Sequence, residues 1–299
     1  MKMNQLMRKL LLLSIIFMTA SFCFAQVTRQ WVARYNGPGN FEDQSKSMAV
    51  DSLGNVYVTG KSLGAADYDY ATIKYNKNGI VLWVKRYSGP VNEFDVARSI
   101  AVDRSGNVYV TGQTEGREAI AGDDDYATIK YDTNGNLLWV RMYNGPANGN
   151  DDAKSVAVDA AGNVYVTGQS QQTPGPLTTP TDYATIKYNS AGVQLWVARY
   201  NGPGNGEDVA YKLVVDASGN VYVSGWSIGL GTNYDYATIK YNSAGIQQWV
   251  RRYNGTANAM DFVGSLAVDA GGNVYVTGQT AEAGTRNDYT TIKYNSAGE

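Results

Sequence analysis

Short stretches of β-branched and aromatic residues alternate with small or polar ones along the whole chain, each bounded by Gly, Asn or Asp. Gly54 to Gly60 reads Gly-Asn-Val-Tyr-Val-Thr-Gly, and Ala71 to Tyr75 and Trp31 to Tyr35 follow the same rule. This composition and punctuation predict strands. No window holds the 3.6-residue apolar period of a helix. The links carry turn chemistry: Asp51-Ser52-Leu53-Gly54 and Asn76-Lys77-Asn78-Gly79 share an Asp/Asn-x-x-Gly form that returns in every copy. There the first side chain can accept from the backbone two residues on and the glycine can take positive φ, so tight hairpins are predicted.

The strands repeat as a group. Trp-Val-x-x-Tyr or a near match begins at Trp31, Trp83, Trp139, Trp196 and Trp249, a period of 52 to 57 residues. A stretch ending in Asp51, Asp103, Asp159, Asp216 or Asp269 leads to Gly-Asn-Val-Tyr-Val, and Asp-Tyr-(Ala/Thr)-Thr-Ile-Lys-Tyr follows from Asp69, Asp125, Asp182, Asp235 and Asp288. Four hairpin-linked strands at this period predict a β-propeller blade; a solenoid would call for atypical capping repeats. Lettering the strands A to D from the one ending in Val-Asp, the chain opens with a D strand at Trp31 and stops after a C strand at Glu299. The fold expected is therefore all-β, a five-bladed β-propeller of four-stranded antiparallel blades. Its ring would be closed by the N-terminal outer strand, Trp31 to Tyr35, pairing with Tyr289 to Tyr294. The D strands carry Arg34, Lys85, Arg86, Arg141, Arg199, Arg251 and Arg252, expected as edge charges that block pairing with other molecules.

Residues 1–25 stand outside the repeat. Lys2, Arg8 and Lys9 precede an apolar run from Leu10 to Phe17 and small residues up to Ala25, the three-part pattern of a secretory signal peptide. The run is short of the roughly 20 residues a bilayer span needs. The domain reading is a signal at 1–25 and one propeller domain at 26–299, giving a secreted, periplasmic or cell-surface protein with no membrane span after cleavage. Cleavage would remove Cys23, the only cysteine, and the chain has no histidine. Triads, cysteine nucleophiles and the usual zinc sites are thereby excluded, while carboxylate chemistry and oxygen-ligand sites remain. The mature chain would hold 22 basic against 27 acidic residues, so nucleic acid is not the expected partner.

The order Ala-Val-Asp-x-x-Gly-Asn-Val-Tyr-Val-Thr-Gly, Asp-Tyr-Ala-Thr-Ile-Lys-Tyr, Trp-Val-x-Arg-Tyr-Asn-Gly-Pro resembles the bacterial SBBP-type β-propeller repeat, a relative of the NHL repeat. The resemblance covers nearly everything after residue 25. It implies an extracytoplasmic propeller, often one module of a larger surface protein, with no activity common to the family. The family name refers to seven blades; five are counted here.

Repeat length varies in one place. From the end of strand B to the next Asp-Tyr the spacing is 9, 13, 14, 10 and 10 positions, whereas the other spacings are constant. In a four-stranded meander these B–C loops emerge on the same end as the D–A crossovers, so one face gathers the variable loops and is the expected binding face. Residues that break the fivefold rule there are candidates. Trp226 stands where Lys61, Gln113, Gln169 and Gln279 stand in other blades; Arg117, Asp123 and Asp124 make the second loop the most charged; Lys212 replaces a serine. Asp43, Asp95, Asp151, Asp208 and Asp261 recur eight residues after each D-strand Tyr. They carry a weak calcium alternative; the stronger reading is that each fixes its own crossover by local hydrogen bonds. No cofactor is otherwise expected. The expectation is a monomeric, non-enzymatic scaffold binding glycan or protein partners through this face. The alternatives are a carboxylate-dependent hydrolase or lyase there, or a structural module of a larger envelope protein.

Overall fold

The computed structural model describes residues 29–64, 67–91, 93–116, 123–174, 179–284 and 286–299; the signal segment expected at 1–25 and Arg117 lie outside them. Ala33–Glu299 forms one compact unit, and the chain up to Val32 is grouped as a second.

Among the described residues there is no helix, and nineteen strands make five antiparallel sheets. Blade 1 holds β1 (Asp43–Val50), β2 (Val56–Leu63), β3 (Tyr68–Tyr75) and β4 (Val81–Tyr87). Blade 2 holds β5 (Val96–Val102), β6 (Val108–Glu115), β7 (Asp124–Tyr131) and β8 (Leu137–Tyr143). Blade 3 is β9 (Asp151–Val158), β10 (Val164–Gln171), β11 (Thr181–Tyr188) and β12 (Gln194–Tyr200). Blade 4 is β13 (Asp208–Val215), β14 (Val221–Ile228), β15 (Tyr234–Tyr241) and β16 (Gln247–Tyr253). Blade 5 has three strands, β17 (Phe262–Val268), β18 (Val274–Ala281) and β19 (Asn287–Tyr294). The expected five-bladed β-propeller is therefore present.

The turns follow the predicted chemistry. In the first, Asp51 Oδ1 accepts from the N–H groups of Leu53 and Asn55 at 2.9 Å, its Oδ2 accepts from Asn55 Nδ2 and the Tyr57 hydroxyl, and Gly54 sits at φ 79°. The same bonds recur at Asp103, Asp159, Asp216 and Asp269. Within each sheet a hydroxyl pair ties strand B to strand C, as in Thr59–Thr72 at 3.0 Å and Thr167–Thr185 at 2.8 Å.

Four apolar clusters hold the blades together, and each spans a junction. Tyr70 of blade 1 packs with Ala97 and Ile100 of blade 2; Tyr126 packs with Ala153 and Val156; Tyr183 with Ala210 and Leu213; Tyr236 with Val263 and Leu266. Polar staples repeat beside them. Lys74, Lys130, Lys187 and Lys240 donate to the carbonyls of Thr133, Ser190, Ser243 and Ser296 in the next blade, at 2.9 to 3.1 Å. The indole N–H groups of Trp83, Trp139, Trp196 and Trp249 donate to the same four oxygens. Each lysine also lies 5.0 to 5.3 Å from the ring centre of Tyr57, Tyr109, Tyr165 or Tyr222, a cation–π distance.

Closure is where the structure departs from expectation. Residues 31–37 are not in a strand, and β19 has no fourth strand beside it. Tyr35 instead accepts from Arg86 of blade 1 at 3.2 Å, as Tyr143 does from Arg199 and Tyr200 from Arg252. The inner strands pack in the order β1, β5, β9, β13, β17, and Met48 of β1 and Tyr289 of β19 are left exposed. The D-strand arginines also differ from the edge role expected of them. Arg86, Arg199 and Arg252 turn inward to Asp69, Asp182 and Asp235 at 2.7, 3.2 and 2.9 Å. Arg141 and Arg251 lie over Trp139 and Trp249 and donate to the carbonyls of Gly192 and Gly298.

Candidate ligand-binding face

The D–A crossovers and B–C loops meet on one end of the blades. Gly39, Gly204 and Ala257 of the crossovers donate to the carbonyls of Leu63, Ile228 and Ala281 at the ends of strand B. The recurring Asp residues build this contact. Asp43, Asp95, Asp208 and Asp261 accept from the N–H groups of Gly37, Gly89, Gly202 and Gly255 at 2.5 to 2.8 Å, and Asp151 accepts from Gly145. Asp151, Asp208 and Asp261 also accept from Gln171, Ile228 and Ala281. Burial pushes Asp95, Asp151 and Asp208 up to about 6 against the pull of these hydrogen bonds. Each carboxylate serves its own crossover, and among the described residues no group of three or more His, Cys, Asp or Glu could hold a metal ion.

Every inner strand is broken by an irregularity at one repeat position. The pairing of β1 with β2 shifts between Ser45 and Ser47, of β5 with β6 between Ala97 and Ser99, of β13 with β14 between Ala210 and Lys212, and of β17 with β18 between Val263 and Ser265. The shift in β9 falls at Lys154, between the residues paired to Thr167 and Gly168. The extra residue is thus Lys46, Arg98, Lys154, Tyr211 or Gly264. A bulge bends its strand and re-aims a side chain, so this one position puts a lysine on the inner edge of blades 1 and 3, an arginine on blade 2, a tyrosine on blade 4 and no side chain on blade 5.

Two local sites result. In blades 4 and 5 the bulge residue Tyr211 lies 5.4 Å from Trp226, ring centre to ring centre, and Trp226 meets Phe262 edge-on at 5.2 Å and 84°. Tyr234 lies 5.8 Å from Phe262. Tyr211, Trp226 and Phe262 wall an open cleft of about 680 Å³ that Gly264, Thr277, Gln279 and Tyr289 also line. Gly264 leaves the cleft floor without a side chain, and a Cβ added there would meet nothing closer than 3.6 Å. In blades 2 and 3 the bulge residue Arg98 grips Asp152 with Nε and Nη2 at 3.3 and 3.0 Å and also donates to Gln113. Lys154 joins Arg98 at Asp152 Oδ2, and Gln113 Nε2 donates to Asp124 at 2.9 Å. Burial, with the charges of Asp152 and Glu115, pushes the Asp124 carboxyl up to about 7 despite the opposing pull of Arg98.

The sequence candidates therefore divide. Trp226 belongs to the aromatic cleft. Lys212 stands next to it on β13, with Nζ 4.9 Å from the Tyr211 ring. Asp124 belongs to the charged cluster two blades away. Asp123 is buried where its carbonyl accepts from Gly116 to close the second B–C loop. Arg117 is outside the described residues. Sequence reasoning missed Tyr211, Phe262, Arg98, Lys154 and Asp152. Their signal was the one repeat position that reads Lys, Arg, Lys, Tyr, Gly, with its neighbour two places earlier.

Comparison with known proteins follows the same lines. The SBBP family, described as a β-propeller repeat, matches residues 30–69, 83–117, 139–176 and 248–283. An uncharacterized WD repeat-containing protein, L264 of Acanthamoeba polyphaga mimivirus, is 22% identical over 235 residues, which is 64% of this chain and 17% of that protein. Among solved structures, a polysaccharide lyase of family PL25, an ulvan lyase bound to -[GlcA(1-4)Rha3S]-, aligns with a TM-score of 0.55 at 11% identity. The alignment covers 87% of this chain and 69% of that one. The polysaccharide lyase Uly1 aligns with a TM-score of 0.49 at 13% identity, over 83% of this chain and 57% of that one. The chain thus spans little more than half of that lyase and under a fifth of the viral protein. At these identities the likeness is one of fold. It nevertheless overturns the expectation that the chain is not an enzyme, since this propeller architecture carries polysaccharide-cleaving proteins.

Proposed function

The chain belongs to the SBBP β-propeller repeat family, and on that premise we propose that its loop-bearing face recognises a polysaccharide through the aromatic cleft of blades 4 and 5. The observation that carries this reading is the open wall formed by Trp226, Tyr211 and Phe262. Aromatic faces give a sugar ring a large apolar contact with a polar rim. Gln279 and the Lys212 ammonium beside the cleft supply groups for hydroxyls or acidic substituents. A wall of rings on adjoining blades suits a repeating chain better than a single small molecule. Secretion under the predicted leader would put this face where extracellular polysaccharides are met.

A second reading, processing of the bound chain, is favoured by one observation. Asp124 is held between its acid and base forms near neutral pH and sits in one network with Gln113 and Arg98. A carboxyl so placed can give or take a proton, and a guanidinium close by can offset the charge of an acidic sugar.

Carbohydrate arrays bearing neutral, uronate-containing and sulfated polysaccharides test the binding reading. Wild-type protein should bind at least one class, and Trp226→Ala should weaken that binding by tenfold or more. Binding unchanged in Trp226→Ala would remove the cleft from the account. Assaying the bound polysaccharides for new reducing or unsaturated ends tests the second reading. Asp124→Asn should abolish such products while leaving array binding intact.

A further inference from the structure

The four junctions inside the molecule are copies of one interface, and each has two unlike halves. The outgoing half presents a strand-C tyrosine, Tyr70, Tyr126, Tyr183 or Tyr236. The incoming half presents an inner-strand residue of the next blade, Ile100, Val156, Leu213 or Leu266. One half of each kind lies uncovered in the structure. Tyr289 on β19 is the outgoing tyrosine of blade 5 and is 97% exposed, against at most 1% for its four counterparts. Met48 on β1 is the incoming residue of blade 1 and is 63% exposed, against 6 to 8% for its four counterparts.

We propose that these two faces form an interaction surface for a second copy of this chain, blade 5 of one molecule receiving blade 1 of the next, head to tail. The occupant is argued from continuity with the junctions already present. The surface that covers a strand-C tyrosine four times in this structure is an inner strand of the same repeat, and β1 carries that sequence pattern with its apolar residue uncovered. The incoming blade also brings Tyr35, which Arg86 already holds as Arg199 holds Tyr143 and Arg252 holds Tyr200 at the internal junctions. In the order of the repeat, that tyrosine belongs to the fourth-strand segment, which β19 lacks beside it. The contact is heterologous, so it either closes a ring of molecules or extends into a chain. This inference does not rest on the polysaccharide reading, although the two share Tyr289, which also lines the aromatic cleft of blades 4 and 5.

Sedimentation velocity over a concentration series, with two single variants, tests it. Wild-type protein should exceed the mass of one chain, increasingly so as concentration rises. Met48→Lys and Tyr289→Asp, both at exposed positions, should each lower the average mass, and each should keep the wild-type circular dichroism spectrum. An equimolar mixture of the two variants retains one intact pairing, blade 5 of Met48→Lys with blade 1 of Tyr289→Asp. The mixture should therefore show complexes that neither variant forms alone. A wild type that stays at one chain mass throughout, as a ring closed on itself would, overturns the proposal. So does a mixture that sediments as the sum of its separate components.

Discussion

Tyr183 and Tyr289 occupy the same place in the repeat, in strand C of blades 3 and 5, yet one is fully buried and the other almost fully exposed. The difference lies in the neighbour, since the sequence around the two is nearly the same: Asp-Tyr-Ala-Thr-Ile-Lys-Tyr against Asp-Tyr-Thr-Thr-Ile-Lys-Tyr. A blade therefore cannot bury its own apolar face, and the core of this fold is a series of contacts between blades. Ile100 and Met48 make the same point from the incoming side. This is the energetic pattern of repeat architectures, in which stability comes from nearest-neighbour interfaces added to modest intrinsic terms.

The largest expected contrast is between those two tyrosines. Tyr183→Ala should cost about 3–5 kcal/mol, as for large-to-small changes in a packed core, and Tyr289→Ala within about 0.5 kcal/mol, as at an ordinary surface position. Urea denaturation of dilute protein measures both, and equal losses would break the comparison. Next in size, Leu213→Ala should cost about 2–4 kcal/mol and Met48→Ala less than about 1 kcal/mol. Arg252→Ala removes a guanidinium bonded to Asp235 at 2.9 Å, to Ser227 and to Tyr200 of the preceding blade. Its loss should cost about 1–3 kcal/mol.

The last comparison is one of pH. Asp95, Asp151 and Asp208 titrate near 6 in the folded chain because burial disfavours their charge, against an ordinary value of 3.8. The folded state therefore binds protons more tightly than the unfolded state, and the stability these groups contribute is fully present below pH 3.8 and lost as pH rises through 6. Asp269 works the other way: hydrogen bonds from Asn273 hold it down to about 2, so its contribution is lost as pH falls below 3.8. The melting temperature should accordingly decline from pH 4 to pH 7. Asp208→Asn should flatten that decline, and a melting temperature that rises over the interval would contradict the assignment.

The blades were legible because their signal is local and repeated. Gly54 and its counterparts must follow an Asp or Asn by three residues to make the turn, and that spacing is written five times. The face carrying the variable loops was legible for the same reason, as a difference in spacing. Ring closure was not, because whether Trp31 to Tyr35 joins β19 depends on how far five blades turn, which no local pattern encodes. The inward turn of Arg86, Arg199 and Arg252 is not legible in the sequence, since a strand pattern gives alternation but not which partner waits on each side. Tyr211, Arg98 and Lys154 share one variable repeat position that the sequence does show, but that this position is a bulge, and so carries the re-aimed side chain, is revealed only by the register of the paired strands.

Hydroxyl-radical footprinting of dilute, monomeric protein tests the central claim most directly, that this chain has four closed junctions and two open faces. Tyr70, Tyr126, Tyr183 and Tyr236 should remain unmodified while Tyr289 and Met48 oxidise at the rate of surface residues. Protection of Tyr289 and Met48 equal to that of their internal counterparts, in a single-chain species, would contradict it.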